Sequence, residues 1–129
     1  MGTGTGIGRV RGLGSARHGA QHWLQQRLTA VGNLVMVLWL LFSFIRLPSL
    51  DHAIVTGWIG NPLVAVPLML MTVSVFWHLR LGLQVCIEDY VHEEGSKIFT
   101  LVLLNFYAIG GAALALFSIA KIAFVGVPA

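Results

Sequence analysis

Three apolar segments constrain this chain more than anything else in it: roughly Leu28–Ile45, Leu63–Val85 and Ile98–Val125. A helix needs about 17–25 predominantly apolar residues to cross a hydrocarbon core of about 30 Å. Each segment meets that length. The apolar residues run continuously instead of alternating, which favours helices over barrel strands. Breakers separate the segments: "RLPSLD" with Pro48 ends the first, "GNP" with Pro62 starts the second, and "HEEGSK" with Gly95 divides the second from the third. The composition agrees, since hydrophobic residues are 57% and charged residues 10% of the 129. A soluble domain has about a quarter of its residues charged, and a core this small could not hide so much apolar surface. The expected fold is an all-α membrane protein with three transmembrane helices.

The first 27 residues carry Arg9, Arg11, Arg17 and Arg27 and no acid. Their start, "MGTGTGIG", is glycine-rich and reads as flexible. No strand precedes these glycines and no βαβ pattern follows, so they are not a dinucleotide fingerprint. Gly6 stands where a myristoylation motif needs Ser or Thr, and the apolar stretch begins too far in for a cleavable signal. The expected division is a flexible basic cytoplasmic arm over 1–27 and a three-helix anchor domain over 28–129. Only Arg46 lies beside the membrane between the first two spans, so the positive-inside rule keeps the arm in the cytoplasm or the mitochondrial matrix. Residues 46–62 are then outside, 86–97 inside and the C-terminus outside, with Lys121 reaching the outer headgroups. The formal charge of +3 is small and scattered, which argues against nucleic acid as a partner. The single cysteine, Cys86, makes no internal disulfide and cannot build an iron–sulfur site, which takes about four thiolates.

The second apolar segment ends in "HLRLGLQVCIEDYVHEE", residues 78–94. Residues eleven apart on a helix differ by about 20° in direction and about 16 Å in height, so His78 and Asp89 share a face. Gly82 lies on nearly that face, where a missing side chain admits a close neighbour. Arg80 points the other way. His78 admits three readings: a metal or haem ligand, a proton relay, or an interhelical hydrogen bond. Gly82 favours haem, because a porphyrin plane needs clearance beside its axial histidine; zinc fits less well, since no second His or Cys shares the helical neighbourhood. Arg27 at the entry of the first span reads as a positive-inside anchor or as a partner for an anionic cofactor group. Tyr90 fits an interfacial aromatic belt. Asn105, Tyr107 and the small residues of "AIGGAALA" read as helix-packing devices, and His22, Trp23, His92, Glu93 and Glu94 as solvated or subunit-facing.

With these residues in view, the chain resembles the small hydrophobic membrane-anchor subunits of succinate dehydrogenase, respiratory complex II. The resemblance covers about residues 12–125. It rests on the entry "SARHGAQHWLQQRLTAV", on three spans, and on His78-x10-Asp89-Tyr90 closing the second. It implies that His78 is one axial ligand of haem b, the other coming from a companion three-helix cytochrome b556 subunit. It implies that Tyr90 hydrogen-bonds a ubiquinone carbonyl with Asp89 beside it, and that Arg27 meets a haem propionate. It further implies flavoprotein and iron–sulfur subunits, a bacterial inner (cytoplasmic) membrane location, and a part in the tricarboxylic acid cycle and aerobic electron transport. The chain would be a non-catalytic anchor within that enzyme. The rival readings are a haem-binding subunit of another respiratory complex, and a small transporter or structural membrane protein.

Overall fold

The computed structural model describes residues 19–125. They form four α-helices: α1 (Gly19–Ile45), α2 (His52–Ile59), α3 (Pro62–Tyr90) and α4 (Glu94–Val125). The expected all-α class with three membrane-length helices holds, since α1, α3 and α4 are each long and apolar enough to span a bilayer. All three outrun their apolar segments. At 1.5 Å per residue they measure about 40, 44 and 48 Å, against about 30 Å of hydrocarbon. The overrun concentrates at one side of the bundle: the start of α1, the end of α3 and the start of α4. Residues 19–27, expected in the arm, are therefore helical. Nothing between Gly19 and Arg27 breaks a helix, and Gln21, Gln25 and Gln26 favour one. Residues 1–18 of the expected arm lie outside the described residues.

Local chemistry sets the ends of α3. The Asn61 side chain accepts a hydrogen bond from the Leu63 N–H at 2.9 Å, and Pro62 fills the first helical position, where no donor is needed. The expected break at Gly95 falls earlier, over residues 91–93. Glu93 is the reason: its carboxylate accepts from the Ser96 N–H and hydroxyl, and its carbonyl accepts from Lys97 N–H. Gly95 is thereby drawn into the first turn of α4. Lys97 Nζ then donates to the Glu88 carbonyl at 3.2 Å, tying the start of α4 to the end of α3.

The loop expected at residues 46–62 contains α2. Eight residues are too few to hold a helix alone. Trp58 supplies the tertiary support, with its ring 6.1 Å from that of Trp39 and 5.4 Å from that of Phe44.

α3 is the central element, with α1 along one side and α4 along the other. Among the described residues only Ala65, Leu81, Leu104 and Ala108 are buried hydrophobics, all in α3 and α4. Phe42, Phe106 and Phe117 lie open, so the apolar surface outside the α3–α4 seam is left to lipid or to other chains. That seam depends on Gly111. A methyl group there would fall 2.6 Å from Phe76 Cε1, and the Phe76 ring is already set against Tyr107, with centroids 6.5 Å apart. Gly111→Ala is expected to cost about 1–3 kcal/mol, seen as a lower thermal midpoint of the detergent-solubilised protein. Gly110→Ala is the control, since its methyl meets nothing within 4 Å. Equal midpoints for the two variants would contradict this seam.

Candidate functional site

α1 and α3 run antiparallel, and three pairs set their register. Gly32 faces Ser74, Thr29 faces His78, and Gln26 faces Gly82. The middle pair is a hydrogen bond, with Thr29 Oγ1 3.0 Å from His78 Nδ1. The Thr29 hydroxyl also lies 2.8 Å from the Gln25 carbonyl and 3.1 Å from that of Gln26, the usual back-bond of a helical threonine. His78 is half-buried, and its Nε2 makes no hydrogen bond among the described residues.

The space expected beside Gly82 is occupied differently from the sequence reading. A side chain at Gly82 would begin 3.3 Å from Gln26 Nε2, so the missing Cβ admits α1. Helix–helix contact thus uses the clearance that was expected for a porphyrin. Toward the end of α3, the groove opens into a cleft of about 570 Å³ bounded by His22, Trp23, Gln26, Gly82, Val85 and Glu88. Gln26 Oε1 is buried and has no hydrogen-bond partner among the described residues.

Arg27 stands apart from His78. It is exposed, its guanidinium carbon 5.3 Å from the Trp23 ring centre. Two residues separate it from Thr29, about 200° round the helix, so it faces away from α3. Asp89 and Tyr90 occupy the last turn of α3, both exposed, Tyr90 at 81%. The Tyr90 hydroxyl has no partner among the described residues; its backbone carbonyl is engaged by His92 Nδ1 at 3.1 Å. α3 therefore carries His78 and the Asp89–Tyr90 pair on one helix, about 16 Å apart in height.

The opposite side of α3 holds Arg80, as its helical position predicts. Its Nε donates to Asn105 Oδ1 at 2.5 Å, and its guanidinium lies 5.3 Å from the Trp77 ring centre. These contacts offset an intramembrane cost of about 2.5–3.5 kcal/mol for an arginine. Asn105 and Tyr107 do tie helices together, as the sequence suggests, the latter through Phe76. Thr29 and Gln26 are the neighbours that sequence reasoning missed. Both sit in the entry stretch "HWLQQRLTAV", but only the antiparallel register singles them out.

Chemically, the arrangement offers one imidazole with its Nδ1 held and its Nε2 without a hydrogen-bond partner among the described residues. Among the described residues no three His, Cys, Asp or Glu side chains gather closely enough to hold a metal ion. A single imidazole nitrogen of this kind is one donor toward an iron porphyrin, and it does not by itself make a zinc cage, which takes about four ligands.

The fold defines a small membrane protein with three helices long and apolar enough to span a bilayer. A family model described as the succinate dehydrogenase/fumarate reductase transmembrane subunit matches residues 1–120, and the chain belongs to this family. Among its relatives, the succinate dehydrogenase hydrophobic membrane anchor subunit of Rickettsia bellii is 35% identical over 103 residues, covering 80% of this chain and 82% of that one. The corresponding subunit of Rickettsia conorii is 28% identical, with 80% and 82% covered. The succinate dehydrogenase membrane anchor subunit of Reclinomonas americana is 32% identical, with 72% and 80% covered. No solved structure matches the chain.

Proposed function

We propose that this chain anchors a succinate dehydrogenase in the bacterial inner membrane, supplies one axial ligand of its haem b, and forms part of its ubiquinone site. The observation that carries the haem reading is the state of His78 in a chain of this family: Nδ1 engaged by Thr29, Nε2 without a partner among the described residues. His78 Nε2 would hold the iron together with a histidine of a companion cytochrome b556 subunit. When bound, haem b supplies one-electron redox chemistry beside the quinone site. Arg27 would meet a propionate, a role supported by its charge and its height on α1 and not by its side of the helix. It would have to leave the Trp23 ring to reach a propionate, giving up about 0.5–1 kcal/mol at an exposed site.

Tyr90 would hold the quinone. Its hydroxyl is free, exposed and at the helix end, where it can donate a hydrogen bond to a quinone carbonyl oxygen. Asp89 stands beside it on the His78 face and would connect the site to bulk protons. The chain has one cysteine, so an iron–sulfur relay must come from another subunit, and succinate oxidation from a flavoprotein. With the N-terminus cytoplasmic, the overrunning ends of α1, α3 and α4 face those subunits.

One observation favours a second reading. The Thr29–His78 bond is also what a plain interhelical tie would look like. Purification of the native assembly through a tag on this chain separates the two. The expected result is a flavoprotein, an iron–sulfur protein and a second small membrane subunit, with a b-type absorption spectrum. A colourless preparation would leave His78 as a tie, and one without a flavoprotein would remove the succinate dehydrogenase assignment.

A further inference from the structure

We infer that Thr29 is the positioning residue for the iron-binding imidazole: it accepts the His78 Nδ1–H and so leaves the ring's lone pair on Nε2. The inference rests on the haem reading above and adds a residue from a different helix to it. Thr29 and His78 are 49 residues apart, yet their side chains meet at 3.0 Å.

The direction of the bond follows from the hydroxyl's single hydrogen. Of the three groups around Thr29 Oγ1, the Gln25 carbonyl is nearest at 2.8 Å and can only accept. A carbonyl in that position takes the hydroxyl hydrogen and leaves the oxygen lone pairs facing His78. The imidazole then satisfies them with an N–H at Nδ1, which places the ring's lone pair on Nε2. No other side chain or carbonyl hydrogen-bonds the His78 ring among the described residues. A metal-bound histidine needs such an acceptor for its second nitrogen, both to set the ring plane and to strengthen its donation to the metal. Because Thr29 belongs to α1, the ring plane is set by α1–α3 packing. The Gln26–Gly82 contact, one turn away, holds that packing close.

The test compares Thr29→Val, which keeps the branched shape and loses the hydroxyl, with Thr29→Ser, which keeps the hydroxyl and loses a methyl. Both are made in the intact complex, alongside His78→Ala. Three quantities are read: haem per flavin after a detergent challenge, the haem midpoint potential, and the low-spin electron paramagnetic resonance signal, which reports the ring orientation. Thr29→Val is expected to lower haem retention about tenfold, to raise the midpoint potential as donation to the iron weakens, and to shift the resonance. Thr29→Ser is expected to match the parent in all three. If Thr29→Val does not assemble, Thr29→Ala carries the same comparison. Parent-like values in the valine or alanine variant, with haem still lost in His78→Ala, would overturn the role of Thr29 while keeping the haem reading. Equal losses in the serine and valine variants would also overturn it, since shape and not the hydroxyl would then matter. Haem retained in full by His78→Ala would overturn both.

Discussion

An assembly carrying His78→Ala is expected to reach the membrane and to lose its b-type pigment. The substitution removes Nε2 and the hydrogen bond to Thr29 together. The lost bond is a small term, about 0.5–1.5 kcal/mol. The span becomes more apolar, so insertion is not impaired, and the α3–α4 seam built on Leu81, Leu104 and Ala108 is untouched. An iron with one protein ligand in place of two is held far less tightly. Haem per flavin should therefore fall by more than the roughly tenfold effect of disturbing a supporting hydrogen bond. A reduced-minus-oxidised difference spectrum normalised to flavin measures it. His78→Gln sharpens the test, because glutamine keeps a hydrogen-bonding group toward Thr29 and loses the imidazole. Pigment lost in both variants assigns ligation to His78. Pigment kept in both, with only a lowered thermal midpoint in the alanine variant, assigns His78 to holding α1 against α3.

Tyr90→Phe is expected to lower succinate:ubiquinone reductase activity by about 10²-fold, the scale for removing one preorganised donor from a developing oxyanion. The substitution removes one oxygen and leaves the ring. Tyr90 is 81% exposed and its hydroxyl has no partner among the described residues, so the fold loses little. A surface change of this kind costs within about 0.5 kcal/mol. Succinate oxidation with a soluble artificial acceptor should stay near its original rate, since that acceptor takes electrons before they reach this chain. The two assays run on one preparation decide the matter. A parallel fall in both would mean a disturbed assembly, and no fall in either would return Tyr90 to an interfacial anchor.

Some features of the site could be read directly from the chain. Helical periodicity put His78 and Asp89 on one face and Arg80 on the other, and the Arg80–Asn105 bond agrees. Such angles follow from 3.6 residues per turn and need no neighbour. Gly82 shows the limit of that reasoning. Its open side was visible in the sequence, but what fills it was not, and Gln26 fills it. Arg27 shows it too: its charge was plain, but its side of α1 relative to α3 depends on which stripe of α1 packs inward. The break after α3 was misplaced because a glycine is a strong local signal, whereas the Glu93 cap acts through side-chain hydrogen bonds one turn ahead.

The sequence by itself determined that this chain has three helices long and apolar enough to cross a membrane, where the apolar stretch of each lies, and which polar residues each carries. Those properties depend on hydropathy and on backbone hydrogen bonds closed within a few residues of one another. Only the tertiary structure decided that Thr29 holds His78, that Gln26 covers Gly82, and that residues 52–59 form a helix under Trp58. These contacts join residues tens of positions apart, and the close packing of side chains between helices selects them.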